Sequence, residues 1–131
     1  MNHVNGQMIP AGDVASIAAA TTITDGAGFV SHKLPVWDTE WVVFQGHVTG
    51  GNASASGQVD FNIVGTVDGV LWDTVTVLTL TITMAGVAQI VQSDPVDVSG
   101  LRMVKIKSIQ NKDATYTATL VGLHWGKAYG Y

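Results

Sequence analysis

The chain has 131 residues, a formal net charge of −4 and no cysteine. That length can bury a hydrophobic core as one domain, and the missing thiols exclude disulfides and thiolate metal sites. The six Lys and Arg are scattered, with only Arg102, Lys105 and Lys107 close together, which argues against nucleic acid as a partner, and no apolar run reaches the length of a helical membrane span.

Residues 1–25 stand apart. They hold no aromatic residue and no Lys or Arg. Val14–Ala20 is a short apolar run with no Lys or Arg before it, unlike a secretion leader. Thr21–Thr24 favours extended structure, and Asp25-Gly26 is a turn signal. This stretch is expected to be an extended arm carrying a short strand, or equally a first edge strand with a leader. The sandwich proper is then residues 26–131.

Gly28–Leu34 reads as a short strand closed by Pro35, which cannot donate to a ladder. Trp41–Thr49 carries apolar residues on both faces, as in a central strand covered on two sides or packed on a partner. Gly50–Gly57 is an uncharged loop of small residues. Gln58–Thr83 then reads as two long strands around a tight turn at Val67-Asp68-Gly69, with apolar residues at a period of two. Trp72 is the expected core anchor under that hairpin. The threonines change phase between Thr76 and Thr79, which predicts a β-bulge or a crossing between sheets near Val77-Leu78.

Val87–Val91 is a short strand and Ser93–Gly100 a loop. Leu101–Gln110 alternates cleanly, with Val104 and Ile106 on one face. Ala114–Trp125 closes the domain with Tyr116, Ala118 and Leu120 inward. About eight strands and no amphipathic helix predict an all-β fold, a two-sheet antiparallel β-sandwich of jelly-roll or immunoglobulin-like type.

The chemistry is sparse. His3, His32, His47 and His124 have no metal-ligand spacing such as HxH or HExxH. Asp60, Asp68 and Asp73 gather at the hairpin, and Asp94 and Asp97 share a loop, but neither set matches a calcium loop. There is no nucleophile elbow and no phosphate-binding loop, and Glu40 is the only glutamate. No enzyme activity and no cofactor are expected. What remains is surface. Only 12% of residues are charged, against a usual share of roughly 25%, as suits a protein packed against neighbours. Tyr and Trp are enriched at interfaces, so Trp37, Trp125, Tyr129 and Tyr131, near turns or the terminus, are the candidate contact residues. Val14, Ile17 and Ile23 supply apolar side chains from the arm.

The segment Phe61–Thr74, FNIVGTVDGVLWDT, resembles a pattern of small tailed-bacteriophage virion proteins: an apolar strand, Gly-Thr, Asp-Gly, then Trp and Thr. The same proteins continue with a strand similar to Val98–Ile106, VSGLRMVKI, and a Thr-rich strand similar to Thr115–Leu120. The resemblance covers about Phe61–Leu120. It implies a β-sandwich accessory protein on the exterior of a virion, such as a capsid decoration or cement protein. Its partners would be the major capsid protein or other virion proteins, and its own copies, with a homotrimer favoured. A tail or neck component shares the composition. Asp-Gly-x-x-Trp hairpins also occur in carbohydrate-binding sandwich modules, so a glycan ligand is the alternative expectation.

Overall fold

The computed structural model describes the backbone of residues 3–4, 9–74 and 76–129 and the side chains of residues 14, 16–74 and 76–127. Its regular elements are all strands: β1 (His3–Val4), β2 (Ile9–Ile17), β3 (Thr21–Asp25), β4 (Gly28–Phe29), β5 (Lys33–Pro35), β6 (Trp41–Gly50), β7 (Gln58–Thr66), β8 (Leu78–Thr83), β9 (Gln89–Gln92), β10 (Val96–Asp97), β11 (Met103–Asn111) and β12 (Ala118–Tyr129). Two six-stranded sheets face each other. In one, β12 and β6 form the centre, with β1 and β2 beside β12 and β9 and β10 beside β6. In the other, β11 and β7 form the centre, with β3 and β5 beside β11, β4 beyond β3, and β8 beyond β7. Every pairing is antiparallel except the short β3–β4 contact.

The period-two pattern builds the core between the sheets. Val42, Phe44 and Val48 of β6 and Val121, Leu123 and Trp125 of β12 meet Val59, Phe61 and Ile63 of β7 and Val104, Ile106 and Ile109 of β11. Trp125 stands edge-on to Phe44, ring centroids 6.2 Å apart at 71°, the orientation the ring quadrupole favours. Gly46 of β6 leaves room for side chains of the facing sheet. A β-carbon there would lie 2.6 Å from Ile82 Cδ1 and 3.2 Å from Leu80 Cδ2.

Several expectations change. There are twelve strands among the described residues, not about eight. The described part of the expected arm is built into the body: Ile9–Ile17 pairs with β12 and Thr21–Asp25 with β11. Burial of Ile17, only 2% exposed, supplies the reason, since an arm lying free would leave that side chain in water. The described residues give strands in both sheets, β2 beside β12 and β3 between β11 and β4, where one short strand or one edge strand was expected. The Gln58–Thr83 hairpin keeps its pairing over β7 and β8, but the connection runs from Val67 to Val77 instead of closing at Val67-Asp68-Gly69. The threonine phase change falls where β8 begins, and there Val77 N–H donates to Ile63 O at 2.7 Å while Ile63 pairs with Leu78, two residues facing one as in the expected bulge. Register shifts occur elsewhere, between Ile106 and Ser108 and along β12 at Thr119–Gly122 and Leu123–His124. The first of these β12 shifts turns Leu120 outward at φ 49°, against its expected inward position. Ser93–Gly100 contains β10.

At one end of the sandwich, buried polar groups tie the connections together. Asn111 Nδ2 donates to the carbonyls of Ile17, Ala18 and Tyr116 at 3.1, 3.3 and 3.1 Å. Asp113 accepts from the backbone N–H groups of Thr115 and Tyr116 at 2.8 Å and of Gly57 at 2.9 Å. The N–H groups of Tyr116 and Thr115 hold its carboxyl below the ordinary value.

Candidate functional site

The opposite end is where exposed apolar side chains gather. Three connections meet there: the β5–β6 turn with Trp37, the β7–β8 connection, and the β10–β11 turn at Val98–Arg102. Backbone hydrogen bonds knit them, since Val36 N–H donates to Arg102 O at 2.8 Å and Arg102 N–H to Thr66 O at 2.7 Å. Lys127 of β12 adds an ion pair to Asp38 at 2.7 Å.

The β7–β8 connection is held from within. Asp68 Oδ1 accepts the N–H groups of Val70 and Leu71, both at 2.8 Å, and these bonds hold its carboxyl below the ordinary value. Thr66 Oγ1 donates to Leu71 O at 2.6 Å and accepts from Gly69 N–H at 3.0 Å. Gly69 sits at φ +82°, a conformation glycine reaches without steric cost. The Asp-Gly signal therefore makes a turn, as its chemistry dictates, but the turn opens a long connection instead of joining two strands directly.

This organised loop projects its apolar side chains outward. Val67, Val70 and Leu71 are 68, 76 and 75% exposed, and Trp37 is 74% exposed. Trp37, Val67, Gly100, Leu101 and Arg102 line an open cleft of ≈ 450 Å³. A neighbouring cleft of ≈ 500 Å³ shares Trp37 and Arg102 and adds Pro35, Asp68, Gly69, Val70 and Met103. Apolar side chains gain by leaving water, so a cluster of this kind on internally hydrogen-bonded loops is a candidate interaction surface.

Trp72 is not the anchor expected beneath the hairpin. It is half-buried, and Lys105 Nζ lies 4.6 Å from the centre of its ring, within cation–π range. The same Nζ pairs with Asp25 Oδ2 at 3.0 Å. Burial pushes the Asp25 carboxyl up, but the Ser31 N–H and Lys105 outweigh it and hold the group below its ordinary value. Trp72 thus clamps the loop to the β3 turn through Lys105.

The other candidate contact residues fall in different places. Trp125 is 1% exposed and belongs to the core, which overturns its expected surface role. Alternation along β12 puts it on the same face as Leu123, pointing inward. Ile17 is core as well. Val14 and Ile23 are partly buried and packed against that core, so neither is a free contact surface. Tyr129 pairs by its backbone with His3 at the end of β12, its side chain lying outside the described residues, as does the whole of Tyr131. The exposed valines and leucine beside Trp37 were missed in the sequence because the pattern there resembled a strand. The tell was Asp68: its carboxylate can cap two N–H groups only if the chain curls past the turn.

The outer face of the β12–β6 sheet carries His47 and His124, ring centroids 5.6 Å apart. Two imidazoles are the start of a metal site, but among the described residues no group of three or more His, Asp or Glu side chains is placed to hold an ion. Two of the carboxylates are engaged elsewhere. Asp60 pairs with Lys112 at 2.7 Å and accepts from Thr81 Oγ1 at 2.7 Å, and Asp97 Oδ1 accepts Ser99 N–H at 2.8 Å.

Fold and site together define a β-sandwich whose connections are tied by internal hydrogen bonds at both ends, with Trp37, Val67, Val70 and Leu71 exposed at one of them. No family model matches the chain, and no curated protein matches it. Among solved structures it is similar to a carbohydrate-binding module of the Cellvibrio mixtus lichenase 5A in complex with cellotriose, with a TM-score of 0.45 and 14% identity over 92% of this chain and 86% of that one. It is also similar to Bacillus endospore appendages described as disulfide-linked pili, with a TM-score of 0.34 and 19% identity over 95% of this chain and 94% of that one. At these scores neither likeness bears on function.

Proposed function

We propose that this chain is a non-enzymatic structural protein that docks onto a larger assembly through its apolar loop end, and more finely that it is a decoration or cement protein on the exterior of a tailed-bacteriophage capsid. The observation that carries the reading is the cluster of Trp37, Val67, Val70 and Leu71, exposed on loops that internal hydrogen bonds hold in place. A preorganised apolar surface loses little conformational freedom on docking. Two of the three segments that resemble virion proteins meet at this end: Arg102 N–H bonds Thr66 O, and Leu101 fills the space beside Gly65.

The test is co-sedimentation of the chain with undecorated capsids of the phage that encodes it. Trp37→Ala and Leu71→Ser are expected to weaken binding at least tenfold each, a hot-spot effect of about 1.4 kcal/mol or more, with the fold intact by circular dichroism. Wild-type binding by both variants would overturn the reading. Removing residues 1–25 is not the right test, since β2 and β3 are parts of the sheets.

A glycan-binding role is the second reading. It is favoured by the setting of Trp37, whose ring shares an open cleft with Asp68 and Arg102, an aromatic platform beside hydrogen-bonding groups. Binding on a glycan array that disappears in Trp37→Ala would select it over capsid docking.

A further inference from the structure

We propose that β8 is a self-pairing edge, through which two copies of the chain join antiparallel about a two-fold axis at Thr81. Among the described residues β8 ends its sheet, with β7 as its pairing partner. Met84 N–H donates to Gly57 O at 2.8 Å. With the register Gln58↔Thr83 through Ile63↔Leu78, this fixes the phase of the ladder. Leu78, Leu80 and Ile82 turn their backbone groups toward β7, and Thr79, Thr81 and Thr83 turn theirs away from it. These three threonines are exposed. Their hydroxyls are already placed, Thr79 Oγ1 on Asn62 Oδ1 at 3.1 Å and Thr81 Oγ1 on Asp60 Oδ1 at 2.7 Å, so what the edge offers is its main chain.

Exposed edges are normally guarded by charge, proline or shortness. The other edges of this molecule are. β2 contains Pro10 and Asp13, β4 and β10 are two residues each, and β9 has four. β8 is six residues, LTLTIT, without charge or proline, and the whole stretch 74–93 contains no charged residue. The sequence Thr79-Leu80-Thr81-Ile82-Thr83 is also close to a palindrome. In an antiparallel pairing centred on Thr81, threonine meets threonine at each outward position, a favourable cross-strand pair. A two-fold contact needs such self-complementarity. β9 runs beside β8 on the facing sheet, and its Ile90, with Val87 just before it, is exposed on that flank, giving the second copy apolar surface to cover. The occupant is therefore a second copy of this chain, and the product a dimer rather than the trimer that the virion resemblance implies.

Light scattering and sedimentation velocity on the full chain test this. The expected mass is that of two chains. Thr81→Pro removes an N–H that β7 does not use, so the variant keeps its own sheet and loses the second copy. Thr79→Lys with Thr83→Lys sets lysine opposite lysine across the axis and is expected to give a monomer with an unchanged circular dichroism spectrum. A wild-type monomer at millimolar concentration, a mass of three chains, or a dimer that survives the double lysine variant would each overturn the pairing. The readout is mass alone, so its failure leaves the loop-end docking reading standing.

Discussion

Asn111 shows how much one side chain can organise. It is fully buried, and its Nδ2 donates to three carbonyls from two places in the chain. Asn111→Ala leaves those carbonyls without a donor, so the folded state is expected to lose about 3 kcal/mol, read as a lower urea midpoint at unchanged m. A loss below about 0.5 kcal/mol would show that water replaces the amide. Trp37 is the counterpart. It touches solvent over most of its surface, so Trp37→Ala is expected to leave the urea midpoint within about 0.5 kcal/mol of wild type while binding falls. Trp125→Ala is expected to cost about 3–5 kcal/mol. From sequence the two tryptophans read alike, as rings near chain turns. The difference lies in β12 running on past Trp125 to Tyr129, which the Gly126 in its path concealed.

At the scale of the element, what period-two patterning could show, it showed. The pairing of β7 with β8 follows from apolar residues alternating against polar ones, and the central place of β6 from apolar residues on both of its faces. What it could not show was the length of the β7–β8 connection. Leu71 and Val77 continue the alternation of a strand, yet Asp68 and Thr66 spend their hydrogen bonds on curling the chain, and local capping wins over pattern. The register shifts in β12 were equally invisible, because one extra residue changes no composition. Gly46 is a position whose role only the facing sheet explains. Gly46→Val places carbon 2.6 Å from Ile82 Cδ1, and overpacking of this kind costs typically 1–3 kcal/mol, measurable as a lowered melting temperature. A variant as stable as wild type would mean that β8 can move away from β6.

For the whole molecule, the two ends of the sandwich divide the work. Carboxylates fasten the connections at both: Asp113 at the stapled end, Asp68 at the apolar end, and Asp25 on the flank beside Trp72. All three are held below their ordinary values in the folded chain. The unfolded chain therefore takes up these protons first as pH falls. Their stabilisation is complete above the ordinary carboxylate range and is lost as pH drops through the folded values, below about pH 4. Urea midpoints are expected to be flat from neutral pH to about pH 5 and to fall below that range, and to fall less in Asp113→Asn. A midpoint that rises on acidification would contradict the assignment.

The division of ends also carries the functional proposal, because a decoration protein must present one surface to the shell. Electron microscopy of the phage particle tests this most directly. Density for this chain is expected on the outside of the capsid, with Trp37 and the 67–71 loop turned toward the shell and the Asn111 end toward solvent. Particles that lack the chain on the capsid, or that carry it with the Trp37 end facing solvent, would contradict it.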